Sequence, residues 1–482
     1  MHYLTLFNVI YMNTMIMLYK TYLVKITQYK RLMSQTLTML LMMDFYYTMY
    51  NMYYMDINEY GYINIIEIFS INIGYDTISM IFFMLTLYLG IISIISNWVN
   101  MSKNMNQFMM LLTMLMLLMS MNFICLDLMS FYILFESTLM PLFLIIGIYG
   151  GNNKNKAAYY MLMYTLCSSL FMTLSIMLMY CVYNDVDYMT MNNKMMSMEL
   201  QSLLIMGFMI GTGVKTPLVP IHTWLPLVHS ESPLGGSILL AGIILKLAIY
   251  GIIRLLLSNI SEVMLIYTPI FYVIGIITII YSSLITLQQT DLKVIIAYSS
   301  ISHLAVCILG IFSNNLLGLS GSTLLSIAHA FVSPALFLLV GGVTYDRYHN
   351  RILYYYQGLA QFMPMFSIYT ILFSFSNSGT PLSFNFIGEF TSTSGIIINH
   401  KFIGFLATLS IMTSASYQMK LTNKLYAGIF SPYTTITYDL IYREHFLLLM
   451  LFIPTLTFGI FPQYMTNFTL LSLNSTMYTI II

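Results

Sequence analysis

The chain has 482 residues, of which 59% are hydrophobic and only 7% are charged, and its formal net charge is +1. Soluble domains carry about 25% charged residues, and a soluble chain with so few would expose large apolar patches and aggregate. The composition therefore excludes a soluble globule and indicates a polytopic membrane protein. No basic face or aromatic stacking motif in the sequence indicates nucleic acid as a partner.

Apolar runs long enough to cross about 30 Å of hydrocarbon recur along the whole chain. They predict an all-α fold of about fourteen transmembrane helices, near residues 2–19, 32–50, 76–96, 107–123, 125–149, 157–181, 199–218, 231–256, 263–286, 292–312, 317–342, 364–398, 403–426 and 445–462. Glycines and a proline interrupt the segment 199–218, and the segment 364–398 is too long for one span. Both are therefore predicted to be broken helices.

Lysines and arginines are distributed unevenly over the loops between these spans. Thirteen of them lie in odd-numbered loops or at the adjoining span edges, and three lie in even-numbered ones, when the intramembrane Lys215 and Lys246 are set aside. The positive-inside rule then places the odd loops on the cytoplasmic or matrix side and both termini on the opposite side.

The two predicted breaks are five spans apart, which is typical of inverted repeats built around a site at the membrane midplane. The predicted organisation has four parts. They are N-terminal helices in residues 1–106 (about three spans), a first five-helix repeat in 107–256, a second and inverted repeat in 257–426, and a C-terminal helix and tail in 427–482.

Four charged residues lie at positions where the membrane interior is expected. Glu136, Lys246 and Glu389 lie within apolar stretches, and Lys215 lies at the first helix break. A charge at that depth costs roughly 3 kcal/mol or more, so it is a functional candidate by default. The alternatives are a misplaced helix end or a neutral, hydrogen-bonded carboxyl for Glu136, and a side chain that extends to the membrane surface for Lys215 and, less readily, for Lys246. The pattern favours movement of protons or ions.

His303 and His329 lie in successive predicted helices, within residues 294–345, which contain no Asp, Glu, Lys or Arg. Two histidines placed in this way favour a proton relay over two packed core residues. The sequence thus predicts a polar axis whose members, in order, are Glu136, Lys215, Lys246, His329, His303 and Glu389.

Other polar residues near the axis are open to two interpretations. His222 and His229 lie in the proline-containing connection after the first break, where core packing and proton transfer are equally supported. Asp291 and Lys293 are interpreted as a helix start, at which a carboxylate caps the helix, and neither is counted as a proton carrier.

Redox and metal chemistry have no sequence support in this chain. Its four cysteines show no CxxC spacing and mostly lie in apolar runs, as small core residues do: Cys125, Cys167, Cys181 and Cys307. No P-loop occurs, and no GxGxxG is followed by an acidic residue. We therefore expect neither a cofactor nor a metal in this chain.

Four segments carry a resemblance to a known family. They are GTGVKTPLVPIHTWLP at 211–226, HSESPLGGSILLAGIILK at 229–246, QQTDLKVIIAYSSISH at 288–303 and FESTLMP at 135–141. Together they closely resemble the antiporter-like membrane subunits of respiratory complex I, over about residues 76–459. Two of the three antiporter-like subunits carry a lysine in the broken twelfth helix, at the place where this chain has Glu389. The glutamate therefore favours a resemblance to the third subunit.

The resemblance implies a fourteen-helix fold and proton translocation driven by quinone reduction elsewhere in the complex. It implies that NAD, FMN, iron–sulfur clusters and ubiquinone are bound by other subunits. Glu136 with Lys215 would be the coupling pair, Lys246 the central relay, His303 and His329 the linkers and Glu389 the exit-side group. The expected partners are other membrane-arm subunits, including sister antiporter-like subunits, and lipids such as cardiolipin.

The many Met, Tyr, Asn and Ile residues suggest an organellar genome, so the expected location is the mitochondrial inner membrane, with both termini in the intermembrane space. Two other functions remain open from the sequence. One is a monovalent cation/proton antiporter subunit, for which more carboxylates near the axis would be expected than Glu136 and Glu389. The other is a purely structural membrane-arm subunit.

Overall fold

The computed structural model describes residue 44 and residues 63–68, 71–97, 104–191, 196–257, 261–429, 431–433 and 435–481. The first predicted span, 2–19, and all of the second, 32–50, except Asp44 lie outside the described residues. The predicted N-terminal unit, 1–106, is therefore described only in part.

The described chain begins with a β-hairpin, which the all-α expectation did not include. Strand β1 (Ile63–Ile68) pairs antiparallel with β2 (Ile71–Tyr75). The strands have the sequences INIIEI and INIGY, in which β-branched isoleucines alternate in part with polar residues, a pattern that favours a strand over a helix. Directly afterwards Asp76 caps the first helix by accepting a hydrogen bond from the Ser79 backbone N–H.

Helices make up most of the first half of the structure. They are α1 (Thr77–Ser96), α2 (Met105–Ile124), α3 (Leu128–Ser137), α4 (Leu139–Tyr149), α5 (Lys154–Tyr183), the short α6 (Tyr188–Met191), α7 (Met198–Lys215), α8 (Trp224–Glu231), α9 (Leu234–Leu239) and α10 (Leu245–Ile252). π-Helical segments join α9 to α10 (Leu240–Ile244) and follow α10 (Ile253–Leu257).

The second half continues in the same way. Its helices are α11 (Ser261–Gln288), α12 (Leu292–Ile311), α13 (Leu316–Phe337), α14 (Tyr345–Tyr348), α15 (Pro364–Asn377), α16 (Phe384–Asn399), α17 (Lys401–Tyr426), α18 (Tyr442–Ile460) and α19 (Gln463–Ile481). A π-helical segment, Leu338–Thr344, joins α13 to α14, and two 3₁₀ turns, Leu353–Tyr355 and Leu359–Gln361, precede α15.

Within the described residues, nine helical stretches are long and apolar enough to cross a membrane. They are Thr77–Ser96, Met105–Ile124, Leu128–Tyr149, Lys154–Tyr183, Leu234–Leu256, Val263–Gln288, Leu292–Ile311, Leu316–Tyr348 and Tyr442–Ile460. Three further predicted spans are more polar or divided. Helix α7 carries Glu199 and Lys215, α17 carries three lysines, and the segment 364–398 is the pair α15 and α16.

Two of these stretches form the centre of the molecule. Leu234–Leu256 and Leu316–Tyr348 are 100% buried in their most apolar part, whereas Lys154–Tyr183 and Val263–Gln288 are only 39% buried. The less buried helices present apolar side chains outward, as lipid-facing helices do. The two central helices carry Lys246 and His329.

Glycines bring α13 and α16 into backbone contact. A Cβ added to Gly321 would lie 2.2 Å from the Ser392 backbone nitrogen, and one added to Gly388 would lie 2.5 Å from the Leu325 Cα. Small residues allow such close approach of helices within a membrane. The close packing holds Glu389, next to Gly388, against the centre of the molecule.

Candidate functional site

The first broken helix ends at Lys215, and its ammonium faces a carboxylate from another span. The Lys215 Nζ lies 3.3 Å from Glu136 Oε1 and donates a hydrogen bond of 2.9 Å to the Phe135 carbonyl. It also lies 3.1 Å from the centre of the Phe135 ring, within the range of a cation–π contact. Only 3% of the Lys215 side chain is exposed, against 18% for Glu136, so the lysine does not extend to a surface of the chain.

The chain beyond Lys215 leaves the helix in turns and then enters α8. Pro217 and Pro220 lack the backbone N–H that a continuing helix needs. The indole nitrogen of Trp224, the first residue of α8, donates a hydrogen bond of 3.0 Å to the Val214 carbonyl. This contact ties α8 to the end of α7 and fixes the position of Lys215.

Lys246 lies at the centre of the molecule and is fully buried. Its Nζ is 2.8 Å from Nδ1 of His329 and donates a hydrogen bond of 2.5 Å to the Ala241 carbonyl. Ala241 belongs to the π-helical segment Leu240–Ile244, and such segments often occur at functional sites because they change the direction of side chains and carbonyls.

The second broken helix presents a carboxylate. Glu389 lies in α16, and its Oε1 is 2.9 Å from Nδ1 of His303, with 4% of each side chain exposed. The rings of His303 and His329 follow each other with centroids 5.6 Å apart. Lys246, His329, His303 and Glu389 therefore form one unbroken row of neighbouring ionisable groups.

The second break also makes room for this carboxylate. Gly379 has a φ of +70°, a conformation that glycine adopts without strain. A Cβ at this position would lie 2.4 Å from Glu389 Oε2. Glycine at position 379 therefore has two roles. It allows the positive φ of the break, and it leaves space for the Glu389 carboxylate.

The two histidines of the connection lie in different surroundings. His222 packs edge-on against Tyr281, with ring centroids 5.3 Å apart, and no hydrogen bond or ion pair joins it to the described members of the axis. His229 is fully buried and stacks on Phe337 at 4.6 Å. It also interacts electrostatically with Lys246, so the structure brings His229, and not His222, near the row.

The predicted axis has one interval without a direct contact, between Lys215 and Lys246. Among the described residues, no hydrogen bond or ion pair joins Lys215 to Lys246. The Glu136–Lys215 pair and the row that begins at Lys246 are thus two groups on neighbouring helices.

Several buried polar groups near Glu389 were not identified from the sequence. Within the described residues, the side-chain oxygen and nitrogen of Asn385 and of Gln418, and the side-chain oxygen of Asn377, have no hydrogen-bond partner. Buried amides are usually hydrogen-bonded to protein or water. The signal available from sequence was the position of Asn377 at the second break and of Asn385 just after it.

The described residues contain no cluster of three or more His, Cys, Asp or Glu side chains that could hold a metal ion. The arrangement of lysines, histidines and carboxylates is instead suited to accept and donate protons. A broken-helix membrane fold with such a row defines the class of antiporter-like membrane subunits.

Comparison with known proteins agrees with this class. Residues 125–414 match the family model described as "NADH:quinone oxidoreductase/Mrp antiporter, TM". NADH-ubiquinone oxidoreductase chain 4 of Candida albicans is 54% identical over 392 residues, which are 81% of this chain and 84% of the relative. The corresponding protein of Wickerhamomyces canadensis is 50% identical over 471 residues, 92% of each chain.

Solved structures share the fold at lower identity. A chain of respiratory complex I from Thermus thermophilus with bound NADH superposes with a TM-score of 0.83 at 23% identity, covering 92% of this chain and 94% of that one. A chain of the Mrp complex from a Dietzia species gives 0.85 at 15% identity, with coverage of 99% and 98%.

The chain belongs to the NADH-ubiquinone oxidoreductase chain 4 family. It is therefore an antiporter-like, proton-translocating membrane subunit of respiratory complex I, the NADH:ubiquinone oxidoreductase. The narrower expectation drawn from Glu389 is confirmed by these relatives.

Proposed function

We propose that protons move along the row of ionisable side chains between the two broken helices, with a separate role for each group. The observation that carries the proposal is the continuous contact from Lys246 through His329 and His303 to Glu389 in the buried centre of the chain. Neighbouring groups at these distances can pass a proton directly or through a water molecule.

Glu136 and Lys215 form the coupling pair. A nearby opposite charge favours the charged form of each partner, whereas burial disfavours it. A movement that separates the 3.3 Å pair therefore lowers the proton affinity of Lys215 and raises that of Glu136. Such a movement, driven by quinone reduction on other subunits, would start transfer toward Lys246.

Lys246 is the central relay, His329 and His303 are the linkers, and Glu389 is the exit-side group. Lys246 is fully buried, its Nζ contacts the His329 imidazole, and among the described residues no carboxylate forms an ion pair with it, so its proton can pass to this neighbour. His229 adds a branch to Lys246, whereas His222 packs against Tyr281 and has no contact with the row in the described part of the chain.

The same proposal includes the arrangement of the subunit in its membrane. We place fourteen spans in the chain, with inverted repeats in residues 107–256 and 257–426 that each contain one broken helix, N-terminal helices in 1–106 and a C-terminal helix and tail in 427–482. The location is the mitochondrial inner membrane, with both termini in the intermembrane space. The partners are the other membrane-arm subunits, sister antiporter-like subunits and lipids such as cardiolipin. NAD, FMN, iron–sulfur clusters and ubiquinone belong to other subunits.

The test measures protons translocated per NADH oxidised by assembled complex I in sealed vesicles. Lys246→Ala and Glu136→Gln are each expected to lower this ratio while the complex still assembles. Lys401→Ala, at an exposed lysine, is the control and keeps the wild-type ratio. A wild-type ratio in both test variants would show that the row is structural and would overturn the proposal.

A further inference from the structure

A cavity of about 530 Å³ lies where five connections of the chain meet. They are the connections after α4, α8, α11, α14 and α17. Residues in these connections and at the helix ends beside them line the cavity, including Asn152, Glu231, Lys293, Arg347, Arg351 and Glu444. All five are odd-numbered loops in the predicted topology, so the cavity opens on the cytoplasmic or matrix side from which protons are taken up.

Lys293 differs from the other cations of this cavity. Its Nζ donates a hydrogen bond of 3.1 Å to the Ser232 carbonyl and lies 5.8 Å from the centre of the Tyr345 ring. The residue is 6% exposed, and within the described chain no carboxylate forms an ion pair with it. The sequence had assigned Lys293 only to a helix start.

Three nearby carboxylates are paired with arginines, and a fourth, Asp346, also lines the cavity and interacts with Lys293. Arg351 pairs with Glu231 at 3.3 Å and with Asp291 at 3.7 Å, and Arg347 pairs with Glu444 at 2.7 Å. Arginine does not lose its proton in proteins, so these two residues hold fixed charges. Lys293 is a buried cation of the cavity that can release a proton.

The surrounding chain leaves room for the Lys293 side chain. A Cβ added to Gly341 would lie 2.9 Å from the Lys293 Cε, so this glycine makes the space through which the lysine reaches the cavity. Gly341 lies in the π-helical segment that follows α13, the helix of His329.

A buried histidine lies beside Lys293. Ser232, whose carbonyl accepts the Lys293 hydrogen bond, donates from its Oγ to the His229 carbonyl at 3.3 Å. The His229 ring stacks on Phe337, which precedes Gly341 by four residues, and it also interacts electrostatically with Lys246. Its ring is fully buried, and neither ring nitrogen has a hydrogen-bond partner in the described part of the chain. A buried imidazole with both nitrogens unused can accept a proton on one and release one from the other.

We propose that Lys293 is a proton-transfer residue that takes up protons from this cavity and delivers them through His229 to Lys246. The inference rests on the proposed role of Lys246 and adds an entry branch to it. The Lys293 ammonium gives up a proton to one His229 nitrogen, leaving a neutral amine and an imidazolium. The imidazolium then passes a proton to a neutral Lys246 amine, and a hydronium ion of the cavity reprotonates Lys293 and becomes water.

If Lys293 were only a fixed cation that binds the Ser232 carbonyl, Lys293→Arg would keep the wild-type proton-to-electron ratio. Lys293→Arg keeps a cation and a hydrogen-bond donor but removes the ability to release a proton. We expect complex I carrying Lys293→Arg to assemble and to show a lowered proton-to-electron ratio. Proton uptake through this branch should be slowed by about a hundredfold or more. Lys156→Arg, at an exposed lysine beside the same connection as Asn152, is the matched control.

A chemical rescue provides the second measurement. Lys293→Cys treated with 2-bromoethylamine gains an amine of nearly lysine length, and treatment with iodoacetamide adds a neutral amide instead. We expect the amine reagent to restore the proton-to-electron ratio and the neutral reagent not to do so, with reagent-treated wild-type complex correcting for native cysteines. Equal recovery with both reagents, or a wild-type ratio in Lys293→Arg, would overturn the proposal.

The two proposals fail in different ways. A wild-type ratio in Lys246→Ala rejects the row as a whole. A lowered ratio in Lys246→Ala with a wild-type ratio in Lys293→Arg rejects the entry branch and leaves the row intact.

Discussion

The two broken helices hold ion pairs of different kinds. At the first, Lys215 ends the helix and faces Glu136 of another span, which is 18% exposed. At the second, the carboxylate of Glu389 faces His303, and both side chains are 4% exposed. A lysine–carboxylate pair responds to changes in its separation, because moving the two groups apart disfavours the charged form of each. The imidazole of His303 has two ring nitrogens and can accept a proton on one and release one from the other, so the second pair is suited to pass protons onward without a large movement.

The largest expected difference between the two broken helices is in the effect of a substitution on stability. Glu136→Gln leaves Lys215 buried without its carboxylate, and we expect a loss of about 1–3 kcal/mol. Glu136→Gln with Lys215→Met removes both charges and should recover most of that loss, since apolar residues replace buried ion pairs well. Thermal unfolding of the assembled complex measures both. A double variant no more stable than Glu136→Gln would show that the pair is not the source of the loss.

Substitutions of Glu389, at the second broken helix, are expected to affect proton transport more than stability. Glu389→Gln keeps the shape of the side chain but removes the ionisable carboxyl beside His303 Nδ1, so the proton-to-electron ratio should fall while the complex assembles. Glu389→Asp keeps the carboxylate but places it farther from His303, so the ratio should fall less in this variant. Equal ratios in Glu389→Gln and wild type would remove this residue from the route.

A smaller effect is expected from the backbone of the second break. Gly379→Ala imposes a side chain at a φ of +70° and brings a Cβ within 2.4 Å of Glu389 Oε2. The cost is about 1 kcal/mol or more, and the displaced carboxyl should slow transport. Gly147→Ala is the control, because a Cβ there meets nothing within 4 Å. Comparable slowing in both variants would mean that Gly379 has no specific link to Glu389.

The smallest effect is expected at His222. His222→Phe keeps the edge-on packing against Tyr281 and should leave the proton-to-electron ratio unchanged. If the ratio fell as far as in Lys246→Ala, His222 would belong to the proton path. The path at the first broken helix would then extend beyond the Glu136–Lys215 pair.

Much of the fold could be predicted from the sequence, because hydrocarbon spans and helix breaks depend on local composition. The break between α15 and α16 follows from a run too long for one span, with Gly379 and Pro381 in its middle. The hairpin of β1 and β2 was missed because it lies in the connection between the predicted spans 32–50 and 76–96, and strands of five or six residues are too short to appear among runs of membrane-spanning length. The π-helical segments depend on tertiary packing and have no local signal.

The site residues could be predicted where an ionisable side chain lies in an apolar stretch or at a helix break, and His303 and His329 were found in this way from a stretch without Asp, Glu, Lys or Arg. Glu136, Lys215, Lys246 and Glu389 are of this kind. Lys293 was missed because it follows Asp291 at a helix start, where a charged residue is usual and where Asp291 does accept a hydrogen bond from the Lys293 backbone N–H. Its burial arises from five connections that are distant in sequence.

The central claim is that Lys246 transfers protons and does not only fill the centre with a positive charge. The proton-to-electron ratio of assembled complex I carrying Lys246→Arg tests it most directly, because arginine keeps the charge and cannot release the proton. A structural cation predicts a wild-type ratio in this variant, and that result would contradict the account. The account predicts normally assembled complex with a lowered ratio, at least as low as that of Lys246→Ala.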